Sequence, residues 1–124
     1  MKRSIKLVSL VFILSMLLVV AACSGGASMK ADKTTVAPGG SITVQWTAPG
    51  SFEKNAWIGI IPSAISHGSE ATNDQHDLTY KYLSKKTSGS FTFKAPKKRG
   101  SYDFRMHDTD SNGKEVASIT FEVK

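Results

Sequence analysis

One cysteine, Cys23, is all that the 124-residue chain contains. A single thiol excludes an intrachain disulfide and the thiolate sets that hold structural zinc. The familiar catalytic signatures are missing as well: there is no G-x-S-x-G turn, no H-E-x-x-H pair, no glycine-rich phosphate loop and no pair of carboxylates framed by an expected cleft. None of the three histidines stands beside an obvious nucleophile. No segment carries an apolar stripe at helical spacing long enough to compete with the strand patterns described below. These absences point away from an enzyme and towards a protein that binds.

What is present begins with a leader. Lys2, Arg3 and Lys6 precede an apolar run from Leu7 to Ala22 in which nothing is more polar than Ser9 and Ser15, and the chain then turns small and flexible at SGGAS. A positive start, an apolar middle and a small-residue exit make a secretion signal over residues 1–22. As a helix the run would reach about 24 Å, short of the roughly 30 Å hydrocarbon layer, so cleavage rather than permanent spanning is expected. The residues Val20, Ala21, Ala22 and Cys23 resemble the lipobox of bacterial lipoproteins. That resemblance implies a covalent diacylglycerol and an N-acyl chain on Cys23, which becomes the first mature residue. The competing reading is an ordinary signal peptide cut near Ala22, leaving a free thiol. Ser24 stands where an aspartate is associated with inner-membrane retention, so the resemblance implies an envelope protein lipid-anchored at the outer membrane or cell surface.

Removing the leader also changes the charge. The chain carries 16 Lys and Arg against 10 Asp and Glu, a net +6. Lys2, Arg3 and Lys6 account for three of the cations, which leaves 13 against 10, or +3. An excess this mild gives no argument for a nucleic-acid partner.

Residues 23–32 are rich in Ser, Gly, Ala and Lys and predict a flexible tether, with one domain over 33–124. The period in that domain is two. Ile42, Val44 and Trp46 alternate with Thr43, Gln45 and Thr47; Phe91 and Phe93 alternate with Thr92 and Lys94; Tyr102, Phe104 and Met106 repeat the pattern, as do Ile119, Phe121 and Val123. NAWIGIIP is a continuous apolar run, as a central strand would be, and LTYKYL is a weaker strand. APGG, APGS, TSG, KKRG and SNG supply turns between them. The fold class is therefore all-β, an immunoglobulin-like antiparallel β-sandwich of about seven strands preceded by a signal helix. Trp57 falls at the place of the third strand of such sandwiches, where a tryptophan is buried, and Tyr102 opens the penultimate strand as a tyrosine corner does. Without a disulfide, Trp46, Trp57, Phe91, Phe93, Phe104 and Phe121 are expected to hold the two sheets together by burial alone.

The succession PGGSITVQW, AWIGIIP, LTYKYL, SGSFTFKAP, GSYDFRMHD and VASITFEV, from Pro38 to Val123, resembles the SKICH-like and related immunoglobulin-like modules. Ala56 departs from the pattern, standing where those modules often have an acid before the tryptophan. The matched positions are mostly core and turn residues, so the resemblance speaks to fold. It implies a docking or accessory role.

Two stretches could carry chemistry. In HDTDSNGKE, the residues Asp108, Asp110, Asn112 and Gly113 reproduce the opening of a calcium loop, but its closing twelfth position is Ile119 instead of a glutamate. The alternative is a hairpin turned at Asn112-Gly113, with Glu115 as an extra ligand should calcium bind. The long connection from Pro62 to Asp77 carries His67, Glu70, Asp74, His76 and Asp77, a set suited to ligand contact although its spacing matches no zinc pattern. Lys85-Lys86 and Lys97-Lys98-Arg99 flank one strand and could form a single positive edge for anionic headgroups or acidic polysaccharide, or simply guard the sheet edge. Arg105 is expected on the outward face of its strand, paired with Asp103 or Glu122.

The sequence thus predicts a monomeric, non-enzymatic lipoprotein held to the membrane by its lipid, with no nucleic-acid partner, presenting a binding surface to an envelope or extracellular protein or glycan. A calcium-stabilised module and an accessory or inhibitor subunit of an envelope enzyme are the alternatives.

Overall fold

A computed structural model describes residues 26–124. The leader, its expected helix and Cys23 lie outside the described residues. Eight strands and one helix follow in chain order: β1 (Ser28–Ala31), β2 (Thr35–Val36), β3 (Ser41–Thr47), β4 (Trp57–Pro62), α1 (Glu70–His76), β5 (Thr79–Tyr82), β6 (Ser88–Lys94), β7 (Gly100–His107) and β8 (Glu115–Val123). They form two sheets, one ordered β1-β3-β6 and the other β2-β8-β7-β4-β5. All pairings are antiparallel except that of β2 with β8. This is an immunoglobulin-like sandwich whose first strand is split between the two sheets.

Alternation decides what faces inward. Ile42, Val44 and Trp46 from β3, Phe93 from β6, Ile58 and Ile60 from β4, Phe104 and Met106 from β7 and Phe121 and Val123 from β8 are almost wholly buried in one core. Its rings pack in series: Phe93 lies 5.4 Å from Phe104, and Phe104 lies 4.8 Å from Phe121. The tyrosine corner forms as expected, the Tyr102 hydroxyl donating to the carbonyl of Lys98 at 2.7 Å. That bond fixes the turn ahead of β7 and sets the strand's register.

Three expectations are corrected. The tether does not extend to Asp32, because Ser28–Ala31 pair with Thr47–Val44 of β3 and Ala27 and Met29 are buried. Met29 is an apolar residue with a place in the core, and burying it drives the pairing. Trp57 is buried but does not lie between the sheets. On β4 the inward positions are Ile58 and Ile60, so Trp57, Gly59 and Ile61 face the opposite side. Finally, the long connection is not all loop. Ser69 caps α1, its hydroxyl accepting from the Thr72 amide at 3.2 Å. Seven residues are too few to show as an apolar stripe, and the two that α1 buries, Glu70 and Asn73, are polar.

Candidate functional site

The outer face of the five-stranded sheet is where the chemistry-bearing residues collect. β7 and β4 lie side by side, with Trp57 opposite His107, Gly59 opposite Arg105 and Ile61 opposite Asp103. All of these except the glycine point away from the inter-sheet core, yet all are buried, because the connection from Pro62 to Asp77 folds over them. The result is a second, polar layer sealed between sheet and loop.

Arg105 organises it. The guanidinium, with no exposed surface, donates through Nε and Nη2 to Asp103 Oδ2 at 3.0 and 2.8 Å, through Nη1 to Asn73 Oδ1 at 2.8 Å and Ser66 O at 3.1 Å, and through Nη2 to Ile65 O at 2.8 Å. Nη2 also meets His67 Nε2 at 3.2 Å and Ser63 O at 3.5 Å, so five of the seven contacts reach the loop and α1. The expected pair with Asp103 is present, whereas Glu122 takes no part in it. Asp103 has its other oxygen occupied by the hydroxyls of Ser63 and Thr120, both at 2.8 Å. A buried charge is tolerated only when paired and fully hydrogen-bonded, and here both partners are.

Asn73 links this pair to His107. Its amide nitrogen donates to His107 Nε2 at 2.9 Å and to Glu115 Oε1 at 2.9 Å. Nε2 therefore accepts, and the remaining ring proton sits on Nδ1, which donates to the carbonyl of Trp57 at 3.3 Å. Burial holds the His107 pKa down at about 4, so the ring is neutral at physiological pH. It stacks on Trp57 with centroids 3.8 Å apart. The irregularity in the β7–β8 register between Met106 and His107 sets the ring beside Glu115.

The expected ligand residues divide into two groups. His67 and Glu70 are tied into the layer: His67 Nδ1 meets Glu115 Oε2 at 2.6 Å, and Glu70 accepts from Trp57 Nε1 at 3.0 Å. Glu115 has its pKa lowered; burial opposes this, and is outweighed by hydrogen bonds from His67, Asn73 and the Gly68 amide. Asp74 and His76 are exposed on α1, and Asp77 is half-buried at its end. Beyond them β5 forms the sheet edge with Leu78, Tyr80 and Tyr82 exposed, the two tyrosine rings 5.2 Å apart and nearly perpendicular.

The calcium set Asp108, Asp110 and Asn112 is dispersed. Asp108 Oδ1 accepts from the Lys114 amide at 2.9 Å, which closes the β7–β8 turn. Asn112 takes a positive φ of 55°, the left-handed position of that turn. Asp110 leans the other way, accepting from the Tyr82 hydroxyl at 2.9 Å and converging with Glu70 and Asp74 to within 4.8 Å. Three such carboxylates are able to take a hard cation, although exposed acids often gather without one. Burial, with Asp110 adding to it, raises the Glu70 pKa; burial, with Asp74 and Asp110 adding to it, raises that of Asp77.

The two basic clusters do not join. Lys85-Lys86 precede β6 and Lys97-Lys98-Arg99 follow it, which puts them at opposite ends of the sandwich, and the Lys85 ammonium is spent on the carbonyls of Gly50 and Phe52.

Sequence reading did not identify Asn73, His107 and Arg105 as one unit. A signal was available: Asp103, Arg105 and His107 alternate with the inward residues of a strand that has neighbours on both sides, which demands a cover over a polar face. No helix among the described residues is long and apolar enough to cross a membrane. No protein-family model matches the chain and no curated protein matches it, so the resemblances to lipoproteins and to SKICH-like modules rest on the motifs quoted above.

Proposed function

We propose that the protein is a membrane-anchored, non-enzymatic binding module that presents the face built by α1 and β5 to an envelope or extracellular protein or glycan. The observation that carries this reading is the Arg105 clamp. A long loop loses binding affinity to the ordering of its backbone; this one is already ordered by bonds from Arg105 to Ile65, Ser66 and Asn73. The donors and acceptors of the buried layer are directed at one another, which supports a scaffold for the exposed residues Asp74, His76, Tyr80 and Tyr82. Tyrosines are effective contact residues because they offer a large rigid surface at low entropic cost.

The anchoring half of the proposal follows from the lipobox. Ala27 is already buried, so from Cys23 to the folded body the chain spans at most about 14 Å. A leash that short concentrates the domain at the membrane surface.

Two experiments test the proposal. Metabolic labelling with an alkynyl fatty acid should mark the wild type and fail in Cys23→Ala; equal labelling of both would remove the anchor. A photo-crosslinker at His76 in intact cells should give one dominant adduct that Tyr80→Ala/Tyr82→Ala abolishes. Adducts insensitive to the tyrosines would show that this face is not the contact.

A further inference from the structure

The charges of the folded body are sorted by position, and in a way the linear sequence hides. Of the 13 cations against 10 acids left after the leader, six lie together at the end where β6 stops and β7 starts: Lys33, Lys94, Lys97, Lys98, Arg99 and Lys124. Three segments bring them there. The Lys33 ammonium rests on the carbonyl of Ser41, Ser41 pairs with Lys94, the Gly39 amide donates to Pro96 O, and the Lys124 amide donates to Val36 O. All six are exposed, and among the described residues none meets a carboxylate within 4.0 Å. The nearest acids are Asp32, whose carboxylate accepts from the Thr43 amide, Glu122, opposite Ser101, and Asp77, which precedes Leu78 in the chain. The other seven belong to the opposite end or to the α1 side.

At this end the surface is concave. A hollow of about 460 Å³ has Pro62, Leu78 and Pro96 as an apolar floor and Lys97, Lys98 and Arg99 as its rim. Leu78 is 55% exposed there.

We propose that this end is a docking surface for an extended acidic polysaccharide. Charge complementarity is the first argument: six unpaired cations attract a chain with repeating anionic groups far more than a single small anion, for which no buried donors converge. The floor is the second, since aliphatic side chains match the C–H faces of sugar rings. No exposed aromatic ring lines the hollow, which removes the stacking platform that single-stranded nucleic acid requires. The surface meets the α1–β5 face at Leu78 and extends away from it, and the proposal stands whether or not Cys23 is acylated. The N-terminal end, where the Thr47 hydroxyl donates to Gly26 O, is the opposite end of β3.

The full chain in mild detergent, titrated with fluorescein-labelled polygalacturonate at about 50 mM salt, where screening is weak, should bind it and should ignore neutral dextran. Lys97→Ser/Lys98→Ser/Arg99→Ser should weaken binding about tenfold or more, as loss of electrostatic steering does. These side chains are exposed, and Tyr102 bonds only the backbone of Lys98, so the fold is kept. Lys85→Ser/Lys86→Ser, at the other end, should leave affinity unchanged. No binding, equal loss in both variants, or tighter binding to duplex DNA or to phosphatidylglycerol vesicles would overturn the proposal.

Discussion

Arg105 is the residue on which the covering layer depends. Replacing it with methionine leaves the Asp103 carboxylate buried beside an alkyl chain and frees the carbonyls of Ile65 and Ser66. Breaking one side of such a pair costs about 3–5 kcal/mol, so Arg105→Met should lower the urea midpoint severely; a loss below about 1 kcal/mol would mean that the loop is held by other contacts. The acidic group behaves oppositely. Asp110 sits against Glu70 and Asp74, and among the described residues no cation lies within 4.0 Å of the three. Asp110→Asn relieves that repulsion while keeping an acceptor for Tyr82, and should add about 0.5 kcal/mol in chelator-treated buffer. If millimolar calcium stabilises the wild type and not this variant, the three carboxylates are a cation site.

At the scale of elements, β1 separates two readings of the same residues. A tether tolerates any substitution, whereas a strand with Met29 in the core does not. Met29→Ala should cost about 2–4 kcal/mol by thermal or urea unfolding; a neutral result would return Ser28–Ala31 to the tether. The strands β3, β4, β7 and β8 were legible because each alternates over at least three apolar positions or runs continuously apolar, and β6 because Phe91 and Phe93 alternate with polar neighbours between turn signals. β1 and α1 were not. Four residues with one buried methionine, and seven whose buried members are Glu70 and Asn73, carry no periodic signal, and only their partners make them regular. Trp57 misled for a related reason. Its residue type fits an inter-sheet core, but strand parity puts it on the other face, over Gly59. A Cβ on that glycine would stand 2.6 Å from Trp57 Cζ3. The glycine therefore makes room for the ring and belongs to the covered site, although the run WIGIIP reads only as a central strand.

The molecule as a whole should respond to acid through its covered layer. His107 titrates at about 4 when folded and near the ordinary 6.5 when unfolded, so between those values the unfolded chain binds more protons. Stability is then fully present above about pH 6.5 and falls as pH drops towards 4, by up to about 3 kcal/mol. Glu115, with its lowered pKa, adds loss of the same sign below the usual carboxylate range. Glu70 and Asp77, with theirs raised, return a little as they take up protons. Unfolding free energies at pH 8, 6 and 5 should trace this fall, and His107→Gln should flatten it. Equal slopes in both proteins would place the titration elsewhere.

The split first strand has a mechanical consequence. β1 starts at the leading end of the sandwich and runs towards the basic end, antiparallel to β3. When the chain is pulled by its N-terminus against a load at the far end, tension runs along the strand axis, and the four register pairs from Ser28–Thr47 to Ala31–Val44 are sheared together rather than peeled one at a time. Withdrawing β1 would also drag Met29 out of the core. The rupture force is thus set by the whole ladder, and β1 serves as a latch against traction.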